Sequence, residues 1–191
     1  MKILAISDAW SPDIWERPDE CGVNDTDIIV SCGDLNTAYL EFVQEKLNKP
    51  LYYVRGNHDK DVKHLKNAFH LDSKIVNVGG VRFLGFDSLS RDGKLLTNEE
   101  VSVRVEIMKR IIEREGGFDV LVTHHPLRGF CDGNDELHKG YEAYVKLLDE
   151  YKPKVMLYGH IHLDFYKHYE RCTMYANTKL VNAYKHIIVE I

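Results

Sequence analysis

Five short apolar runs, each stopping at a metal-ligating or titratable side chain, limit this chain more than any other feature. They cover residues 2–6, 27–32, 51–54, 118–123 and 154–158. They stop at Asp8, Gly33-Asp34, Gly56-Asn57-His58-Asp59, His124-His125 and Gly159-His160-Ile161-His162, in that order. Continuous apolar runs of this length mark strands covered on both faces, the usual state of parallel strands in α/β folds. Glycine at the end of a strand lets the backbone turn sharply. Ligands of open α/β sheets bind outside the carboxyl ends of the strands. The pattern therefore predicts that the five polar clusters converge on one rim.

The segments between the runs agree with an α/β fold. Residues 37–47 read as a helix with Leu40, Val43 and Leu47 on one face, and the strand–helix–strand order implies a right-handed parallel arrangement. The stretch 11–25, with Pro12, Pro18 and Gly22, is expected to be a loop with at most one helical turn. A short helix is expected over 61–69, and strands 74–78 and 81–86 flank the hairpin signature Gly79-Gly80. Thr97-Asn98-Glu99-Glu100 is a capping box. It opens a helix striped by Val101, Val105, Met108 and Ile112 and closed by Gly116-Gly117. A polar loop over 127–139 precedes a helix over 141–151, and residues 164–191 read as short strands, with 186–190 the clearest. No repeat or linker interrupts the chain, so one domain over residues 1–191 is expected.

Acidic and basic residues are mixed along the chain and the net charge is −5. Sequence-independent nucleic-acid binding lacks its usual basic footprint. An anionic substrate would need local positive charge, which bound metal ions supply. Cys21, Cys32, Cys131 and Cys172 form no C-x-x-C pair, so reduced thiols in a cytoplasmic protein are expected rather than a zinc ribbon or a disulfide framework. No signal-peptide pattern opens the chain and no apolar stretch reaches bilayer length. Oligomeric state is left open, with a homo-oligomer among the options.

Mixed carboxylate, amide and imidazole donors suit Mn, Fe, Zn or Ni better than Ca or Mg. The donors outnumber what one ion needs, which favours two ions about 3.5–4 Å apart sharing a carboxylate, an arrangement suited to phosphoryl displacement. The ordered set Asp8-Ala9-Trp10, Gly33-Asp34, Gly56-Asn57-His58-Asp59, His124 and Gly159-His160-Ile161-His162 resembles the calcineurin-like metallophosphoesterases. The stretch from His124-His125-Pro126 through Asp132 and His138-Lys139-Gly140 is similar to a small phosphodiesterase-like branch of them. The resemblance implies a two-sheet α/β/β/α sandwich and hydrolysis of a phosphodiester or small phosphorylated metabolite by a metal-bound hydroxide. In the roles it implies, Asp8 and His162 hold the first metal and Asp34 bridges. Asn57, His124 and His160 hold the second. His58, oriented by Asp59, contacts the phosphate and assists the leaving oxygen, and Arg55 adds a cation nearby.

Trp10 departs from the resemblance, because it stands where the family has a metal-binding histidine. An indole N–H is only a donor and cannot ligate. The first site is thus expected to be weaker, with Asp13 a candidate substitute and Trp10 an apolar wall or a surface that stacks on a substrate ring. A catalytically weak metal- or nucleotide-binding protein and a nuclease of the same fold are the competing readings. His125 is expected to be structural, His138 a loop residue, and His64, His70, His168 and His186 surface or strand residues.

Overall fold

The apolar runs are strands, and they are shared between two sheets. The computed structural model describes residues 1–59, 65, 67–166, 168 and 170–191. In chain order the elements begin β1 (Lys2–Ser7), α1 (Pro12–Glu16), a 3-10 turn (Val23–Asp25), β2 (Ile28–Ser31), α2 (Thr37–Leu47), β3 (Leu51–Tyr53) and β4 (Ala68–His70). They continue with β5 (Lys74–Val78), β6 (Val81–Phe86), α3 (Asn98–Arg114), β7 (Val120–Thr123), α4 (Glu142–Tyr151), β8 (Val155–Tyr158), β9 (Cys172–Tyr175), β10 (Thr178–Asn182) and β11 (Lys185–Glu190).

The first sheet has the order β11-β1-β2-β3-β4 and the second β5-β6-β7-β8-β10-β9. Strands β1 to β4 run parallel, and β11 closes their edge antiparallel, with Ile3 opposite Val189. Strands β6, β7, β8 and β10 are also parallel, with β5 and β9 antiparallel at the edges.

Strand side chains alternate between the two faces of a sheet, so each continuous apolar run serves two cores. From β1 and β2, Leu4, Ile6 and Ile29 pack against Ile14 of α1 and Leu40 and Val43 of α2. Their neighbours Ile3, Ala5 and Val30 pack against Phe83, Val120, Val122 and Leu157 of the second sheet. Leu84, Leu121 and Met156 point the other way, onto Val105 and Met108 of α3 and Tyr144 and Leu147 of α4. The layers are therefore helix, sheet, sheet, helix, the sandwich that the family resemblance implied. Truncating a fully buried member such as Leu121 to alanine costs about 2–5 kcal/mol.

Local signals explain the joints. The Thr97 hydroxyl accepts the Glu100 N–H at 3.2 Å, and the Glu100 carboxylate accepts the Thr97 N–H at 2.8 Å, which fixes the start of α3. Gly79 and Gly80 take φ of 56° and 89° between β5 and β6, as a two-residue hairpin requires. The 11–25 stretch contains α1, with Pro12 in its first turn. The expected 61–69 helix, like His64, lies largely outside the described residues. Over Ala68–His70 the chain pairs with β3 as strand β4, so tertiary pairing overrides helix propensity there.

Candidate metal centre

Parallel pairing within each sheet, and the packing of the two sheets face to face, bring the five run ends to one edge. Asp8, Asp34 and Asn57 follow the neighbouring strands β1, β2 and β3, and His124 and His160 follow the neighbouring β7 and β8. Three of the turns that present them are strained. Asp8 and His160 have φ of 64° and 68°, and each is the centre of a three-residue γ-turn, closed by Ala9 N–H to Ser7 O and by Ile161 N–H to Gly159 O, both at 2.7 Å. Asp34 also lies in the left-handed region, with φ 56°. Such backbones cost about 1–3 kcal/mol each and persist where the surroundings over-determine them. Here the turns lock each other: Asp8 N–H donates to Gly33 O at 3.2 Å and Gly159 N–H donates to His124 O at 3.0 Å. The His160 N–H donates to the Asp8 carboxylate at 3.0 Å.

Two glycines permit this crowding. A Cβ on Gly56 would lie 2.1 Å from Asp34 Oδ1 and 2.8 Å from His124 Cε1. A Cβ on Gly159 would lie 2.0 Å from Ser7 Oγ and 2.7 Å from Asp8 Oδ2.

The inward-facing atoms are almost all lone-pair donors. His124 Nδ1 lies 2.8 Å from the Cys32 carbonyl and His160 Nε2 lies 2.7 Å from the Leu137 carbonyl. Those nitrogens carry the protons, so His124 Nε2 and His160 Nδ1 present their lone pairs to the centre. His124 Nε2 is 2.8 Å from Asn57 Oδ1, 3.2 Å from Asp34 Oδ2 and 3.2 Å from His160 Nδ1. Four acceptors this close repel one another unless a cation or a proton sits among them, and ligands about 2.0–2.2 Å from one ion are spaced in this way. The donor set therefore fits a divalent transition metal. Asp8, Asp34 and His124 also bring one ligand atom each within 4.8 Å of one another.

Without metal, a proton does this work. Burial opposes charge on His124, but the Asp34 carboxylate, with Asp8 behind it, outweighs burial and raises His124 to about 9. Burial would likewise raise Asp34; the His124 imidazolium and the His58 N–H hold it at about 2. His160, buried beside that imidazolium, is pushed down to about 4. His125 is driven well below the usual histidine range by burial and by its histidine neighbours.

The remaining expected site residues are placed as follows. His162 Nε2 is 3.3 Å from Asp8 Oδ1, and that contact raises its pKa. His58 has an 81% exposed side chain, with Nε2 4.0 Å from Asp34 Oδ2. Asp59 binds backbone rather than the His58 ring: its Oδ2 accepts the N–H groups of Asp34 at 2.7 Å and Gly56 at 2.8 Å. It therefore braces the turns carrying Asp34 and Asn57. Arg55 is committed elsewhere. Its Nε meets Asp87 at 2.6 Å, because the fully buried Asp87 carboxylate needs a counter-charge. Asp13, on α1, pairs with Arg17 just past its end. His125 donates to or accepts from Ser88 Oγ at 2.7 Å and packs its ring on His160 at 4.2 Å, a structural role.

Two open clefts meet at Asp8, Asp34 and His58. One, of roughly 810 Å³, continues past Trp10 and the start of α2 at Asn36 and Thr37. The other, of roughly 500 Å³, continues past His138, His162, Phe165 and Tyr166. His138 is thus a wall of the site as well as a loop residue. The Leu137 carbonyl and the walls Phe165 and Tyr166 escaped sequence reasoning. A backbone acceptor has no residue signature, and the two aromatics sit in no motif.

The comparisons with known proteins agree with this geometry. A family model described as calcineurin-like phosphoesterase matches residues 1–164. The chain is 23% identical over 192 residues to the UPF0046 protein K07C11.7 of Caenorhabditis elegans, covering 85% of this chain and 63% of that protein. It is 27% identical over 158 residues to the 3',5'-cyclic adenosine monophosphate phosphodiesterase CpdA of Haemophilus influenzae, covering 73% of this chain and 56% of that protein. It therefore spans less than two thirds of the length of either relative. The crystal structure of TT1561 of Thermus thermophilus shares the fold, with a TM-score of 0.65 at 12% identity, over 95% of this chain and 88% of that one. Among the described residues, no helix is long and apolar enough to cross a membrane. With the motif order, the sandwich and the family match in agreement, the chain belongs to the calcineurin-like phosphoesterase family.

Proposed function

We propose that the chain is a metal-dependent phosphoesterase that hydrolyses a small phosphodiester at the rim formed by Asp8, Asp34, Asn57, His124 and His160. The observation that carries this reading is the cluster of Asp34 Oδ2, Asn57 Oδ1 and His160 Nδ1 around His124 Nε2 at 2.8–3.2 Å. Asp34, Asn57, His124 and His160 would hold one divalent ion; Asp8, Asp34 and His162 would hold a second, with Asp34 shared. Divalent ions bound there supply Lewis acidity, making water nucleophilic at neutral pH and neutralising charge on phosphoryl oxygens.

The chain's own groups do the rest. Asp59 and the two γ-turns keep the carboxylates and imidazoles pre-set, so little reorganisation is needed when substrate arrives. His58 stands on the floor shared by both clefts. Its ring is exposed enough to bind a phosphoryl oxygen or to protonate the departing alkoxide. The two clefts leave room for the two substituents of a diester, and a relative carrying a phosphodiesterase name supports the same class. Four free thiols suit a reducing, cytoplasmic setting.

A second reading has its own observation. Trp10 stands where the resemblance implies a metal-binding histidine, and the Asp8 carboxylate already accepts the His160 N–H, which favours a metal-binding protein with one tightly held ion and weak turnover. The test is hydrolysis of bis(p-nitrophenyl) phosphate and p-nitrophenyl phosphate by chelator-stripped protein, with Mn²⁺, Ni²⁺ or Zn²⁺ restored and bound metal counted. Diester turnover that needs metal and vanishes in His124→Ala is expected. One bound ion per chain with no turnover under any metal would establish the binding-protein reading instead.

A further inference from the structure

Trp10 follows Asp8 by two residues and lines the larger cleft beside Asp34 and His58. Its ring is parallel to that of Tyr39, with centroids 5.2 Å apart and planes 8° apart, yet 59% of the residue is exposed. Tyr39 is buried, and its hydroxyl accepts the Ser11 N–H at 3.0 Å, so the support beneath the indole is tied to the residue next to it. Phe42 extends the stack beneath Tyr39 at 6.4 Å. One face of the indole is therefore held rigidly, and the residue stays open to solvent at the mouth of a cleft whose floor is the candidate metal centre. A lone surface aromatic would be ordinary. This one shares a cleft with the groups expected to hold a phosphoryl group, and aromatic faces recruit other rings by offset stacking.

We infer that Trp10, backed by Tyr39, is a stacking platform for a planar aromatic ring carried on one arm of the phosphoester. This rests on the phosphoester reading above and narrows it: the site selects nucleoside or aryl esters over aliphatic ones. The net charge of −5 and the absence of a basic stripe point to a small ester rather than a polymer. The geometry also gives a reason for an indole in place of a metal-ligating imidazole, because selectivity is gained where a ligand is lost.

The test uses the whole chain of residues 1–191 loaded with Zn²⁺. Adenosine 5'-monophosphate, phenyl phosphate, ribose 5-phosphate and inorganic phosphate serve as probes in equilibrium binding. The chain has two tryptophans, so Trp15→Phe leaves Trp10 as the only indole reporter. The aromatic probes should quench its emission and bind about fivefold to a hundredfold tighter than ribose 5-phosphate, the range expected for one stacked ring. Trp10→Ala should bring that ratio close to one without weakening inorganic phosphate, and Trp10→Phe should keep most of it. A gain for adenosine 5'-monophosphate alone identifies a nucleobase; an equal gain for phenyl phosphate identifies any aryl ring, and both support the platform. Equal binding of ribose 5-phosphate and the aromatic probes, or a ratio unchanged in Trp10→Ala, overturns the platform and leaves the phosphoester reading standing. If inorganic phosphate and all three esters fail to bind, both fall together.

Discussion

Gly56→Ala separates the geometry of the centre from the stability of the fold. Gly56 is not among the residues with positive φ, so alanine suffers no backbone penalty there and the perturbation is purely one of approach. The added methyl would start 2.1 Å from Asp34 Oδ1 and 2.8 Å from His124 Cε1, and real Cβ contacts do not fall below 3.0 Å. The Asp34 carboxylate must therefore retreat by about 0.9 Å, carrying the shared ligand off the His124–Asn57–His160 cluster. A misplacement of about 1 Å costs on the order of 100-fold in rate. Overpacking of this kind costs about 1–3 kcal/mol of stability, or roughly 3–10 °C in melting temperature for a chain of this length. The assay is calorimetric titration of Zn²⁺ or Mn²⁺ into chelator-stripped protein, with bis(p-nitrophenyl) phosphate turnover and a melting curve alongside. The expected result is a folded protein with metal affinity and turnover both reduced by one to two orders of magnitude. A folded variant with unchanged metal affinity and turnover would refute the claim that close approach of the β2 and β3 ends builds the centre.

Three further outcomes are expected. His58→Ala should lose about 10²–10⁴-fold in turnover while retaining its metal, because the exposed ring is proposed to serve the phosphoryl group and the leaving oxygen rather than the ions; unchanged turnover would remove His58 from the chemistry. Trp10→His should raise the number of ions retained per chain after mild chelation, and a flat elemental count would disprove the missing-ligand account. In the metal-free protein His124 stands at about 9 against about 6.5 unfolded, a raised base whose stabilisation is complete below pH 6.5 and is lost as pH climbs through 9. Stability should accordingly fall by about 3 kcal/mol across that window, read by denaturant titration at each pH. Asp34→Asn should flatten the profile; an equal slope in that variant would mean that Asp34 is not the cause.

The strands and their terminal residues were readable because both signals are local. An apolar run buried on both faces and the donor atoms at its end are properties of a few adjacent residues, and so are the capping box at Thr97 and the Gly79-Gly80 turn. The strand β4 was not readable. Ala68–His70 is extended because β3 offers it an unpaired edge, a partner 17 residues away.

By itself, then, the sequence determined which side chains end the strands, which of them carry lone pairs, and that an indole replaces one expected ligand. Only the tertiary structure decided that Arg55 serves Asp87 and not the cleft, that Asp59 braces backbone and not His58, and that Leu137 turns the His160 lone pair inward. It alone also placed Tyr39 beneath Trp10. The physical reason is range: a side chain's chemistry travels with its residue, whereas its partner is set by distances between segments tens of residues apart, and a backbone carbonyl looks the same in every residue.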